Sequence, residues 1–167
     1  MGQAEAIRRV ELDADIRAVA ALGRQIWTEH YTDILAPGQV PYMLERFHSE
    51  AIIRREIADE GYEYHLLSNG TADVGYIGFQ MRDETLYLSK IYILSSARGS
   101  GLGRVALDYL RGRAEAAGCR AITLGVNKGN TGTIAAYERI GFRIIGEMVN
   151  DIGGGFVMDD YAMEWAL

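Results

Sequence analysis

The chain has 167 residues, a net charge of −6 at pH 7, and 49% hydrophobic against 24% charged residues. This composition is typical of a globular protein with a core, and the length predicts one domain over residues 1–167. The acidic balance argues against a nucleic-acid partner, because binding phosphate requires a basic face. The sequence shows neither a signal peptide nor an apolar run of membrane-spanning length, so we expect a cytoplasmic protein with no membrane partner.

Cysteine and histidine usage argues against disulfides and metal centres. Cys119 is the only cysteine, which excludes an internal disulfide and fits a reducing compartment. His30, His48 and His65 show no metal-ligand spacing, and we interpret each as a surface residue or a satisfied core residue. The sequence therefore predicts no metal cofactor.

The first third of the chain is predicted to contain one strand and two helical regions. Residues 5–12 read as a strand, and either Asp13 or Asp15 is expected to cap the helix that follows. Apolar side chains recur at helical spacing through that helix until the stretch 31–41, where prolines and glycine break the pattern. A second helical region in two pieces follows, with Ser49 as a predicted cap.

From residue 62 onward the apolar period changes from helical to alternating. Three segments read as strands of an antiparallel meander: 62–68, 72–82 and 85–94. The later elements are predicted as a helix at 101–117, a strand at 121–126, a helix at 130–140, and strands at 142–149 and 156–165. The order β-α-α-β-β-β-α-β-α-β-β predicts an α/β (α+β) fold. Its core would be a single mixed, mostly antiparallel, twisted sheet of about seven strands with helices on both faces.

A glycine-rich loop between a strand and a helix gives the clearest chemical signal: Arg98-Gly99-Ser100-Gly101-Leu102-Gly103-Arg104. Its glycines let a ligand approach the backbone closely. The first N–H groups of a helix are unpaired and the helix dipole is positive there, so the loop suits a phosphate. Arg98 and Arg104 add positive charge. The structural alternative is a turn whose glycines only let the helix and strand pack closely.

Two other phosphate-binding motifs fit this loop poorly. A P-loop requires Lys and Ser/Thr after the last glycine, where this chain has Arg104 and Val105. The residues Gly101, Gly103 and Ala106 match the loose dinucleotide fingerprint. However, they follow an antiparallel meander, and the strand after their helix ends without the required acidic residue.

The loop is part of the first of two sequence blocks that occur in order over about residues 85–145. The blocks are the hydrophobic strand 88–93 followed by Arg98-x-x-Gly101-x-Gly103, and Val126-Asn127-Lys128-Gly129-Asn130 followed by Tyr137 and Gly141-Phe142. In these blocks the chain resembles the GNAT superfamily of N-acetyltransferases. The N-terminal third resembles that family only in its order of elements.

This resemblance implies that acetyl-CoA is the cosubstrate. The loop backbone would bind the CoA pyrophosphate through Arg98, Gly99, Ser100, Gly101, Leu102, Gly103 and Arg104. The fourth strand would diverge from the fifth through a bulge, so that free peptide groups of Ile91 and Ile93 bind the pantetheine arm like an added strand. The Ile93 N–H would also stabilise the oxyanion. Asn130 would contact the pantetheine and cap its helix.

The resemblance also implies direct attack of an amine on the thioester, with Tyr137 as the acid that protonates the departing thiolate. A buried packing tyrosine is the structural alternative. Many relatives supply a glutamate on the fourth strand as the base, but the matching position here is Ser89, which cannot serve. Glu84, Glu63, Asp159 or a water chain are the candidate substitutes, and the sequence favours none of them.

In such proteins the acceptor is selected by the first two helices and by the loop between the last two strands, here 27–47 and 151–156. The first segment is rich in aromatic residues, and three glycines in the second indicate a mobile rim. Asp151, Asp159 and Asp160 favour a cationic primary amine of a small molecule, in a pattern loosely similar to bacterial polyamine acetyltransferases.

Two other functions stay open. One is a protein N-terminal or lysine acetyltransferase. The other is a non-catalytic acyl-CoA-binding sensor, which the missing carboxylate at Ser89 favours and the retained Asn130–Tyr137 pair opposes. Homodimers are frequent in relatives, so a homodimeric partner is an expectation that no segment requires.

Overall fold

The computed structural model describes residues 3–167, and within them seven strands form one sheet in the order β1-β2-β3-β4-β5-β7-β6. The strands are β1 (Ile7–Arg9), β2 (Tyr62–Ser68), β3 (Asp73–Arg82), β4 (Thr85–Ile93), β5 (Ala121–Asn127), β6 (Arg143–Gly153) and β7 (Phe156–Ala166). The pair β4–β5 is parallel and the other neighbouring pairs are antiparallel. This confirms the predicted mixed, mostly antiparallel sheet.

Helices cover both faces of this sheet, as predicted. The helices of the described part are α1 (Gln3–Ala6), α2 (Asp13–Tyr31), α3 (Gln39–Phe47), α4 (Glu50–Asp59), α5 (Leu102–Ala116) and α6 (Thr131–Ile140). On one face, α2 and α4 bury their apolar sides against Tyr64, Leu66 and Tyr76. On the other face, α5 and α6 pack over a larger core that includes Leu86 and Ile122. None of the helices described is long and apolar enough to span a membrane.

The first strand is shorter than the predicted segment 5–12, whose residues 5 and 6 belong to α1. The strand ends because the backbone N–H groups of Glu11 and Leu12 turn to the carboxylate of Asp15, at 3.2 and 3.1 Å. Asp15 thus stabilises the start of α2 from inside its first turn, while Leu12 occupies the cap position. Residues 1 and 2 of the predicted domain lie outside the described residues.

The other predicted elements are present with boundaries shifted by a few residues. The second helical region is α3 and α4, and Ser49 caps α4 by accepting a hydrogen bond from the Ile52 N–H at 3.4 Å. The last two strands are longer than predicted because they pair along nearly their whole length. The outer strand β6 leaves most of its side chains exposed, Ile145 and Val149 among them.

A one-residue bulge at Ser89 opens the sheet between β4 and β5. Leu88 pairs with Phe79 and Lys90 pairs with Gly78, so Ser89 has no partner on β3. The parallel ladder between β4 and β5 ends at the pair Leu88–Leu124. Beyond this point the two strands diverge, as the family resemblance implies for its cosubstrate site.

Close approach of two backbones requires glycine at position 75 of β3. A Cβ atom there would lie 2.5 Å from the backbone oxygen of Tyr92 on β4. We expect Gly75→Ala to lower the free energy of unfolding by about 1–3 kcal/mol, as overpacking typically does. The matched control is Gly112→Ala on α5, where nothing lies within 4 Å of the new Cβ. This change should stabilise the helix by about 0.5–1 kcal/mol. Urea unfolding measures both, and equal stability of the two variants would contradict the expectation.

Candidate active site

The glycine-rich loop presents unpaired backbone N–H groups at the start of α5. Gly99 and Gly101 have φ angles of 78° and 84°, in the left-handed region that glycine adopts without strain. The first helical hydrogen bond runs from Val105 N to Gly101 O at 3.1 Å. Among residues 3–167, no protein acceptor bonds the N–H groups from Gly99 to Arg104. A ligand anion can therefore take these donors, and the helix dipole favours it.

The two arginines that flank the loop differ in their contacts. The Arg98 Nε donates to the carbonyl oxygen of Ile93 at 3.3 Å. The Arg104 side chain instead extends along α5, where its Nε donates to Asp108 at 3.1 Å. Arg104 thus contributes its backbone N–H to the loop, while its charge is offset by Asp108. Of the two guanidinium groups, only that of Arg98 adds unbalanced positive charge beside the loop.

A cavity of about 890 Å³ passes through the gap between β4 and β5. On one face of the sheet it is lined by Ala136 and Tyr137 of α6, and on the other face by Trp27 and Tyr31 of α2. Five of the predicted site residues line it: Ile91, Ile93, Arg98, Asn130 and Tyr137. The rest of the loop, from Gly99 to Arg104, does not line this cavity and follows Arg98 in the chain.

The peptide groups of Ile91 and Ile93 face this gap. Leu94 N donates to Val74 O at 2.8 Å, which fixes the alternation of hydrogen-bonded pairs between β3 and β4. Ile91 and Ile93 then belong to the non-hydrogen-bonded pairs, so their N–H and C=O groups point away from β3 towards β5. Because β5 has diverged there, these groups can pair with the amides of an extended ligand.

Asn130 links helix α2 to the start of α6. Its Nδ2 donates to the hydroxyl of Tyr31 at 3.1 Å, and its Oδ1 lies 3.0 Å from the Nε2 of His30. Asn130 occupies the cap position of α6, yet its side chain makes no capping hydrogen bond. The predicted capping role is therefore wrong, because the amide is committed to α2.

His30 completes a connection between the loop and α6 that the sequence did not reveal. Its Nδ1 lies 3.4 Å from the guanidinium of Arg98, which can only donate. Nδ1 is therefore the acceptor, and the protonated Nε2 donates to Asn130. No local pattern could have identified this histidine, because its partners lie 68 and 100 residues away in the chain.

Tyr137 lies at the wall of the cavity on the α6 side. It is 9% exposed, and its ring packs against Phe142 with centroids 5.3 Å apart. No described side chain or backbone group hydrogen-bonds its hydroxyl. Burial, with a smaller contribution from Tyr31, raises the pKa of Tyr137 above the usual tyrosine value. The phenol therefore keeps its proton at neutral pH and can donate it.

The three carboxylates considered from sequence as bases do not line the cavity. Glu63 is held by the guanidinium of Arg113 at 2.7 and 3.0 Å. Glu84 is exposed on the surface, and Asp159 pairs with Lys128 at 2.7 Å. Each of these carboxylates is ion-paired and lies outside the cavity, so the prediction that one of them acts as the base is wrong.

Two other carboxylates, Glu56 and Asp160, do line the cavity. Glu56 accepts from the hydroxyl of Tyr64 at 2.7 Å and lies 3.4 Å from the buried ammonium of Lys90. Lys90 also donates to the carbonyl oxygen of Phe47 at 2.7 Å. Glu56 and Lys90 therefore balance each other within a hydrogen-bonded cluster.

Asp160 has no such balance. It is 7% exposed on β7, opposite Asn127 of β5, and its Oδ1 is buried without a hydrogen-bond partner. Burial, reinforced by the neighbouring charge of Asp159 and opposed by Lys128, raises the pKa of the Asp160 carboxyl to about 6. The sequence indicated Asp160 only as one of three acids favouring a cation. The sequence could not reveal its burial, because this depends on the pairing of β7 with β5, which places Asp160 opposite Asn127.

The hairpin 151–156, whose three glycines predict a mobile rim, packs against α3 in the structure. The hydroxyl of Tyr42 donates to Ile152 O at 2.6 Å. Cβ atoms on Gly153 and Gly154 would lie 2.7 and 2.8 Å from the Tyr42 ring or hydroxyl, so the glycines allow close packing against α3. Asp151 accepts from the Gly153 N–H at 2.9 Å and stabilises the turn.

Comparison with known proteins agrees with this geometry. The model of the acetyltransferase (GNAT) family matches residues 24–142. The chain belongs to that family. The structure resembles the PaiA N-acetyltransferase from Thermoplasma acidophilum in complex with coenzyme A, with a TM-score of 0.78 and 16% identity over 97% of this chain and 99% of that one.

Two characterised relatives match over shorter stretches. The L-methionine sulfoximine/L-methionine sulfone acetyltransferase of Pseudomonas paraeruginosa is 36% identical over 58 residues, 35% of this chain and 34% of that protein. The mycothiol acetyltransferase of Corynebacterium glutamicum is 41% identical over 76 residues, 41% of this chain and 25% of that protein. The chain thus spans about a third or less of the length of these relatives.

Proposed function

We propose that this protein transfers an acetyl group from acetyl-CoA to a primary amine of a small molecule, by direct attack of the amine on the thioester. One observation carries the proposal. A single cavity runs from Arg98, beside the unpaired N–H groups of the loop, through the β4–β5 gap to a buried, unpaired carboxylate at Asp160. The cosubstrate and the acceptor can therefore approach each other from opposite faces of the sheet.

In this proposal the cosubstrate is held by backbone groups on the α5 side. The N–H groups from Gly99 to Arg104 bind the diphosphate, and Arg98 adds a charge. The peptide groups of Ile91 and Ile93 pair with the pantetheine amides, and the Ile93 N–H stabilises the oxyanion. Tyr137 protonates the thiolate that leaves. Asn130 acts through His30 and Tyr31, holding α2 against α6 beside the gap.

The charges in the cavity favour a cationic acceptor. Among its described lining residues, the Glu56–Lys90 pair is internally neutral and Arg98 belongs to the cosubstrate side, so Asp160 is the unbalanced group on the acceptor side. Aromatic side chains surround the space, Trp27 and Tyr92 among them. We therefore favour an amine with an apolar body and no carboxylate, polyamine-like amines included, over an amino acid, whose carboxylate would meet no unpaired cation.

Two measurements test this function. We expect CoA and acetyl-CoA to raise the melting temperature, since a ligand at 100 times its Kd stabilises by about 2.7 kcal/mol. We expect thiol release from acetyl-CoA with phenethylamine or spermidine, and little with phenylalanine. Stabilisation without turnover on any amine would support the sensor alternative. Absence of CoA binding would overturn the proposal as a whole. Cytoplasmic location and homodimer formation stay predictions.

A further inference from the structure

Asp160 is a buried carboxylate with an unpartnered oxygen, in a cavity whose family-typical base position holds Ser89. We propose that Asp160 is the catalytic base, and that it takes the proton from the ammonium group of the acceptor. This inference rests on the proposed function, because it assigns a proton transfer within the same reaction.

The position of Asp160 fits this role. The residue pairs with Asn127, the last residue of β5, where β5 has already diverged from β4. Its Oδ2 lies 3.7 Å from the place where a Cβ on Gly125 would stand, so the carboxylate lies over β5 beside the gap. A Cβ on Gly125 would also lie 3.0 Å from the Met148 Cε, so the Met148 methyl group shares this space with the carboxylate. Both residues line the cavity through which an acceptor would approach.

The surroundings of Asp160 leave the carboxylate free to act. The charged and titratable groups that influence it are Asp159 on its own strand, Lys128 in the β5–α6 connection, Tyr31 of α2 and Tyr87 of β4. On the β6 side, Glu147 pairs with Lys128 at 3.3 Å. Lys128 is engaged by both Asp159 and Glu147, so it does not satisfy the Asp160 oxygen.

The reaction of an ammonium acceptor with acetyl-CoA releases one net proton. The ammonium R–NH₃⁺ gives one proton to Asp160, and the free electron pair of R–NH₂ attacks the thioester carbon to form the C–N bond. As the C–S bond breaks, the sulfur takes the proton of Tyr137. The remaining excess proton on nitrogen returns to the Tyr137 oxygen, directly or through water. The products are the amide and CoA thiol, and Asp160 later releases one proton to solvent.

The first test is the pH dependence of kcat/KM for Asp160→Asn. In the wild type we expect an acidic limb near pH 6, because activity requires the ionised carboxylate and burial raises the pKa of Asp160 to about 6. The variant should lose this limb and fall about 10²-fold at pH 7, the lower range for general base catalysis. In the variant, kcat/KM should instead rise with pH towards the acceptor's own pKa of about 10, because only the neutral amine can attack without the base. Asp159→Asn is the matched control, since its carboxylate is exposed and ion-paired: kcat/KM at pH 7 should stay near the wild-type value. Its acidic limb should be kept and move to lower pH, because the charge of Asp159 raises the pKa of Asp160.

The second test uses a matched pair of acceptors, ethylamine and trifluoroethylamine. Trifluoroethylamine is mostly neutral at pH 7 and needs no base before it attacks. We expect Asp160→Asn to lose much less activity with this amine than with ethylamine. A residue that only supports the structure would reduce both rates equally.

The outcomes separate the two proposals. CoA-induced thermal stabilisation should be the same in the wild type and in Asp160→Asn, which shows that the variant is folded. If the wild type turns over amines while the variant keeps its rate and its acidic limb, Asp160 is not the base and the acetyltransferase function stands. An equal loss with both amines also overturns the role of Asp160. If the wild type binds CoA and acetylates no amine, the proposed function fails first.

Discussion

Gly103→Asp should weaken CoA binding by about 10²–10³-fold without destabilising the fold. Position 103 lies in the first turn of α5, where an acidic side chain interacts favourably with the helix dipole by about 0.3–1 kcal/mol. A Cβ there meets only Ile93 Cδ1, at an ordinary 3.6 Å. The new carboxylate would compete for the unpaired N–H groups and repel the diphosphate, at about 4 kcal/mol for two charges 4 Å apart near a surface. Stability and ligand affinity should therefore change in opposite directions.

The matched control is Gly112→Asp, which introduces the same residue in the same helix. Gly112 lies on the exposed side of α5, away from the loop, with open space around its Cβ. Calorimetric titration with CoA should give wild-type affinity for this variant. Equal affinity of both variants would show that the loop does not bind the diphosphate.

Tyr137→Phe should lower kcat with acetyl-CoA by about 10²-fold, at the low end for general acid catalysis because a thiol of pKa about 8.5 is already a fair leaving group. The phenol ring fills the wall of the cavity, and phenylalanine keeps that packing against Phe142. CoA affinity should therefore stay within a few-fold of wild type. An acetyl thioester of a more acidic thiol should reduce the defect, since its thiolate leaves without a proton.

Tyr109→Phe serves as the control for loss of a partly buried tyrosine hydroxyl. The Tyr109 hydroxyl contacts His65 at 3.0 Å and Arg113 at 3.1 Å, outside the cavity. Its removal should cost about 1 kcal/mol of stability and leave kcat unchanged. A wild-type kcat in Tyr137→Phe would assign Tyr137 a packing role, which is the structural alternative considered from sequence.

Local patterns were sufficient to predict the elements that hold the cosubstrate side. The loop from Arg98 to Arg104 is read from adjacent residues, because its glycines and the following helix act over one turn. The β4–β5 gap followed from the family resemblance, and the bulge at Ser89 is where the structure opens it. The predicted fold class is confirmed because it depended on the apolar periodicity of the individual helices and strands, which is also a local pattern.

The residues on the acceptor side of the cavity could not be predicted from the sequence, because their roles depend on contacts between residues far apart in the chain. Asp160 and Asp159 are adjacent and identical in type, but strand register buries the first and exposes the second beside Lys128. His30 gains its role only when α2 meets the loop and α6. The cap assigned to Asn130 failed for the same reason, since a partner on α2 competes with the local backbone.

The bulge at Ser89 leaves a visible trace in the order of apolar residues. Leu86 and Leu88 contact the core beneath α5, and so do Ile91 and Ile93, although the second pair is out of phase with the first. In a regular strand every second residue faces the same side of the sheet. The pattern Leu-x-Leu-x-x-Ile-x-Ile has one extra residue between its two halves, and this marks the position of the bulge. The same one-residue shift in the alternation of apolar residues, followed by a glycine-rich helix start, can be searched for in other sequences. It predicts two neighbouring strands that diverge, without any structure being available.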